Sequence, residues 1–246
     1  MTAPVFVVEH FDADGGGRYV LDGPEGRHAV SVKRLRAGED VVLTDGAGRW
    51  ADCVVLDTEG KDRLILQLDS VHEEPFEQPR VTVVQALPKG DRGELAVETM
   101  TEVGVDAVVP WAAARCITQW RGDRGAKALG KWRATAREAG KQSRRVRFPE
   151  VAEAATTRQV ASLLAGAEFA AVLHESGDTP LATADLPATG EIVLVVGPEG
   201  GVAPEELALF EDAGAGAYRL GSSVLRTSTA GTAAAAVLLA RTGRWS

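Results

Sequence analysis

Residues 193–206 read VLVVGPEGGVAPEE. An apolar run stops at Gly197-Pro198-Glu199-Gly200-Gly201, a turn that holds three glycines and one carboxylate. Glycine takes up positive φ and lets another group approach bare backbone closely. A second such place follows at 219–229, RLGSSVLRTST, where Gly221 stands five residues before Arg226. A third apolar run ends at Leu173-His174-Glu175. Together these stretches could enclose a small molecule and face it with the charged groups Glu175, Glu199 and Arg226. Two familiar ligand classes are excluded. There is no G-x-x-x-x-G-K followed by Ser or Thr, and no G-x-G-x-x-G after a strand. Glu199 would repel a phosphate and suits a ligand with hydroxyls or positive charge. Glycine is also the default turn residue, so a tight turn without a ligand fits the same letters.

The elements that must position these groups follow from apolar periodicity. Short Val/Ile/Leu runs suit strands buried on both faces. Pro204 followed by Glu205 and Glu206 suits a helix start, since proline lacks the N–H that would be orphaned there and acids favour the positive end of the dipole. Beyond residue 80, strands at 81–87, 105–111, 168–174, 193–196 and 217–220 alternate with helices near 91–103, 124–140, 157–164 and after 204, and with a last helix from about Ser223 to Arg241. Such alternation predicts a mostly parallel sheet with helices on both faces, and ligands of such sheets bind at the carboxyl ends of strands. Residues 1–72 read as a small β domain with strands at 5–8, 41–43, 53–56 and 64–68, closing into a barrel, and one short helix over 26–36. The polar, proline-bearing stretch 73–79 reads as a linker, and 80–246 as the second domain.

The chain has 246 residues, 45% of them hydrophobic, and a net charge of −8. The charge is unevenly spread. From Arg115 to Arg147 there are eleven basic residues against two acidic ones, a net +9, so the remainder carries −17. A segregated basic block in an acidic protein reads as a footprint for a polyanion; a solvated basic face is the plainer alternative. The first residues, MTAPVFVVEH, lack a basic stretch followed by a long apolar one, so no signal peptide is expected. No apolar run is long enough for a bilayer span. Cys53 and Cys116 form no C-x-x-C, which fits a reducing cytoplasm. His10, His28, His72 and His174 show no metal spacing, and no metal is expected.

Taken in order, several motifs resemble those of the RsmE family, bacterial small-subunit rRNA uridine-N3 methyltransferases of the SPOUT superfamily. The carriers are the His28 to Arg36 segment, similar to H-x-x-x-V-x-R followed by Leu or Met; PKGDRGELAVETMTEVGV from Pro88 to Val105; EAGKQSRR from Glu138 to Arg145, similar to E-A-x-x-Q-x-x-R; GPEGG; and LGSSVLRTSTA. The resemblance covers nearly the whole chain. It implies an α/β protein with an N-terminal PUA-like, RNA-binding β-barrel and a C-terminal domain with a deep trefoil knot, a rare exception to unknotted chains. It implies S-adenosylmethionine (SAM) as methyl donor, held by Leu173, His174, Glu175, Gly197, Pro198, Glu199, Gly200, Gly201, Leu220, Gly221, Val224, Leu225, Arg226 and Thr229. Arg226 is the catalytic candidate, stabilising the uridine anion. Lys33, Arg34, Arg36, Lys89, Arg92, Arg115, Gln142, Arg144 and Arg145 are expected on 16S rRNA within the small ribosomal subunit, and the active form is expected to be a cytoplasmic homodimer. The sequence departs from the family pattern at Ser228, where an acid is common, at Thr99, where a lysine is, and at Val103. Rival readings are a ribose 2′-O-methyltransferase of the same superfamily and a non-catalytic RNA-binding assembly factor. The chain contains no asparagine, which disfavours the first, and its intact glycine loops disfavour the second.

Overall fold

A computed structural model of the protein describes residues 3–11 and 17–246. The chain separates into two units: Met1–Pro75 with Gly140–Phe148, and Phe76–Ala139 with Pro149–Ser246.

In the first unit, strands β1 (Val5–Val7), β2 (Gly17–Leu21), β3 (Asp40–Thr44), β4 (Arg49–Glu59) and β5 (Arg63–Glu73) form a sheet of order β1-β3-β4-β5-β2 among the described residues. β1 and β3 run parallel, and the remaining pairs are antiparallel. The period-2 alternation in β4 sends Ala51, Cys53 and Val55 inward and leaves Asp52, Val54 and Leu56 exposed. Phe6, Leu43, Leu64 and Leu66 complete the core; burying each such side chain contributes about 1.5–3 kcal/mol. The expected helix over 26–36 is instead a short helix α1 (Gly23–Arg27) continued by a π-helical turn, His28–Lys33. Gly26 explains the close packing here, because a Cβ would collide with the Asp62 and Leu21 carbonyl oxygens. β2 carries no strong apolar run, and the sequence reading missed it.

The expected division into 1–72 and 80–246 needs correction. β5 runs on to Glu73, and residues 140–148 belong with the first unit. Phe148 is the reason. Its N–H donates to Gly46 O at 2.8 Å, and its ring lies where a Cβ on Gly46 or Gly140 would be. The Thr44 hydroxyl adds a hydrogen bond to Val146 O at 2.6 Å. Contacts so distant in sequence leave no local pattern.

In the second unit, β6 (Arg80–Ala86), β7 (Ala107–Trp111), β8 (Glu150–Val151), β9 (Phe169–Leu173), β10 (Thr179–Pro180), β11 (Glu191–Val196) and β12 (Gly216–Arg219) form a parallel sheet of order β10-β12-β9-β11-β6-β7-β8 among the described residues. The connecting helices are α2 (Arg92–Val103), α3 (Gly122–Gln142), α4 (Thr157–Ala165), α5 (Pro204–Asp212) and α6 (Thr227–Arg241). Strand side chains alternate between two cores. Val81, Val83, Ile192 and Leu194 pack with α2, α3 and α6, while Val84, Val193 and Val195 pack with α4 and α5. This is the two-sided burial that continuous apolar strands require. α6 begins at Thr227, not Ser223. The chain bends over residues 221–223, beginning at Gly221, whose φ is +139°, and residues 221–226 are exposed up to Arg226, which precedes the first helical turn.

Candidate functional site

Three neighbouring strands, β12, β9 and β11, end side by side, and the segments that leave them line one cleft of about 590 Å³. That size lies within the usual range for small-molecule and cofactor sites. β9 delivers Leu173, His174 and Glu175; β11 delivers Gly197 to Gly201; β12 delivers Leu220, Gly221, Val224, Leu225 and Arg226. The three stretches singled out in the sequence thus share one cavity. A hydrogen bond from His174 N–H to Tyr218 O at 2.9 Å ties the β9 segment to the end of β12.

Each glycine has its own reason. At Gly197 a Cβ would press to 2.9 Å from the Val202 side chain, so the turn folds back on itself only without one. Gly201 closes the turn with an N–H to Pro198 O bond of 2.9 Å at φ +73°. At Gly221 the situation is reversed: a Cβ would meet nothing within 4 Å. The backbone there borders the cleft with open space before it, as required of a wall against which a flat ligand lies.

The GPEGG turn is held from several sides. Arg115 Nη1 donates to Gly200 O at 3.0 Å, and Lys89 N–H donates to Glu199 Oε1 at 3.2 Å. Behind the turn stands Glu206, 6% exposed. Its Oε2 accepts from Ala203 N–H at 3.2 Å, and its Oε1 accepts from Ala114 N–H at 2.8 Å and from the Thr157 hydroxyl at 2.9 Å. One carboxylate thereby joins the start of α5, the segment after β7 and the start of α4. The sequence reading took Glu206 as a helix-dipole acid and missed this role, because Ala114 and Thr157 are remote in sequence. Burial pushes the nearby Cys116 thiol up, with a smaller upward contribution from Glu206 and Glu199.

Thr229 does not line the cleft; its hydroxyl donates back to Arg226 O at 3.2 Å. Thr227 and Ala230, three residues apart on α6, present the helix to the cavity instead. Tyr218 and Arg219 also line it, as do Ser222 and Ser223; the sequence reading started this wall at Leu220. Arg92 and Arg115, expected on RNA, lie in the cleft lining as well, beside the acids Glu175 and Glu199.

The basic run from Arg115 to Arg147 is not one cationic face. It passes from the second unit into the first at Gly140. Lys141 is buried in an ion pair with Glu25 at 2.8 Å, and Arg133 is bound to Glu153 at 3.0 Å. Arg145 donates to Arg147 O at 2.9 Å, and Arg147 donates to Glu74 O. Glu25 and Glu153 neutralise two of the charges that a local count left positive, while Arg145 and Arg147 are held on carbonyl oxygens. Lys33, Arg34, Arg36, Gln142 and Arg144 are exposed in the first unit, and Lys89 is exposed in the second.

Comparison with known proteins adds the following. A family model described as an RNA methyltransferase domain matches residues 75–239, and one described as an RNA methyltransferase PUA domain matches residues 21–69. The chain is 45% identical to the Ribosomal RNA small subunit methyltransferase E of Mycobacterium bovis, over 100% of this chain and 94% of that protein. It is 28% identical to the protein of that name from Bacillus subtilis, over 86% of each. A crystal structure of a Ribosomal RNA small subunit methyltransferase E from Neisseria gonorrhoeae bound to S-adenosyl methionine superimposes with a TM-score of 0.83 at 28% identity, covering 98% of both chains.

Proposed function

The chain belongs to the family of ribosomal RNA small subunit methyltransferase E, and on that premise we propose that it transfers the methyl group of SAM to N3 of one uridine in 16S rRNA. The observation that carries the reading is the convergence of the β9, β11 and β12 ends on one cleft with the bare backbone of Gly221 open to it. The residues fit the cofactor. Leu220, Val224 and Leu225 offer apolar surface to an adenine, and the GPEGG backbone offers polar groups to the ribose and methionine portion. Glu175 and Glu199 offer negative charge to a sulfonium. SAM bound there supplies an electrophilic methyl group.

Uridine N3 carries a proton at neutral pH, so its lone pair is available only once that proton leaves. Arg226 is exposed at the cleft, where its guanidinium would hold the charge that develops on a uracil oxygen. Glu175 and Glu199 are the cleft carboxylates available to accept the proton. N3 lies on the pairing edge, so the target base must be unpaired or turned out of its helix. A deep trefoil knot formed by the chain segments around the cleft, closure of the first unit's sheet into a barrel, a homodimer and a cytoplasmic location belong to the same reading. No helix of the described residues is long and apolar enough to cross a membrane.

The test is incubation of the protein with labelled SAM and small ribosomal subunits, followed by mass spectrometry of the nucleosides. 3-Methyluridine is the expected product. Label in a 2′-O-methylated nucleoside, or none in rRNA, would overturn the assignment.

A further inference from the structure

Left-handed backbone disfavours residues with a Cβ, and those that adopt it cluster at functional sites. Among the described residues, the non-glycine positions with positive φ are Arg34, at 57°, and Arg144, at 60°. Both belong to the first unit. Arg34 terminates the π-helical turn His28–Lys33, itself a kind of element that recurs at functional sites. Arg144 follows the end of α3. The residues beside one and the side chain of the other meet at a pocket of about 150 Å³ whose lining includes Phe6, His28, Lys33, Lys141, Gln142 and Arg144.

The charges around this pocket are unequal. Lys141, 4% exposed, is neutralised by Glu25. Lys33 and Arg144 are exposed and have no ion-pair partner among the described residues, and no acid lines the pocket. His28 stands half-buried, edge to face with Phe6 at 6.0 Å between ring centroids. Gln142 adds an amide that both donates and accepts. The volume is below that of a whole-cofactor site and suits one base-sized fragment. Two cations, a ring wall and an amide are the chemistry by which single-stranded RNA is held: phosphate on the cations, base on a ring, base edge on the amide.

We propose that this pocket binds one unpaired nucleotide of the RNA substrate, with its phosphate between Lys33 and Arg144 and its base against His28 and Gln142. The proposal rests on the reading that the protein acts on RNA. It assigns the first unit a nucleotide-sized grip rather than a diffuse charged face.

The experiment measures binding of a labelled single-stranded oligouridylate to the full chain by anisotropy across a salt series. In the double variant Lys33→Ser with Arg144→Gly, glycine keeps the left-handed backbone while deleting the guanidinium. Affinity should fall roughly tenfold or more, and the slope of log affinity against log salt should flatten by about 0.7, the loss of one phosphate contact on a single strand. Lys33→Ser alone, at an exposed position, should give half that change in slope. Gln142→Ala should weaken the oligouridylate and leave an abasic strand of equal length unaffected. Unchanged affinity and slope in the double variant would overturn the pocket while leaving the RNA reading intact. Equal binding of abasic and intact strands would overturn the base contact. A wild-type protein that binds no RNA would overturn the RNA reading and the pocket with it.

Discussion

A glycine beside open space differs from a glycine beside a neighbour, and only the structure separates them. Gly197 exists to let the turn close, while Gly221 borders the cleft with nothing in front of it. Gly221→Val would place a branched side chain in that space at a φ of +139°, where L residues are rarely found. Calorimetry should show SAM binding abolished in a variant that still folds, its melting temperature lowered by the local strain; unaltered affinity would mean that the segment is only a turn. Arg226→Ala makes the complementary prediction. RNA should still bind, while single-turnover methyl transfer slows by about 100-fold, the scale of losing one oxyanion-stabilising donor. Equal rates for the variant and the wild type would remove Arg226 from the chemistry. At this scale the sequence was informative where residue type is dictated by backbone approach, as at Gly197, Gly201 and Gly221. It was uninformative about helix phase. Thr229 and Thr227 look alike as letters, and their exposure differs because α6 starts at Thr227 and turns about 100° per residue.

At the scale of elements, the carboxyl ends of β9, β11 and β12 are fixed by ordinary sheet pairing, while the segment that joins the GPEGG turn to α5 has a separate anchor. Glu206 supplies it through bonds to Ala203, Ala114 and Thr157. Glu206→Ala would leave these buried or half-buried donors without their acceptor, at a cost on the order of 2–3 kcal/mol in total. Urea titration should show that loss, and SAM affinity should fall with it because the turn is no longer held. A variant that loses stability but binds SAM normally would confine Glu206 to packing. A strand buried on both faces, such as Ile192 to Val196, was legible because its apolar run is continuous. β2 was not, since GRYVL has one buried residue and takes its strand geometry from pairing with β5. The π-helical turn was read as ordinary helix, because its extra residue per turn leaves little mark on a six-residue stretch.

For the whole molecule, the proposal of a homodimer makes the oligomeric state a direct test. Sedimentation velocity at micromolar concentration should give a species of twice the 25.9 kDa chain, and a fully active monomer would refute it. The basic run illustrates why a charge count reaches only part of the way. The count could not see that Lys141 pairs with Glu25 or that Arg133 pairs with Glu153.

Residues 140–148 return to the first unit, so the backbone crosses between the two units three times, at 75–76, 139–140 and 148–149. In genetic terms, the first unit is not a cassette. A gene fragment ending at Pro75 encodes a sheet without Phe148 against Gly46 and without the partner of the Thr44 hydroxyl, and its product should show poorly dispersed amide resonances beside those of the full chain. Recombination that swaps the first unit between relatives must carry two separated coding stretches together. The two units are therefore bound to diverge as one inherited piece.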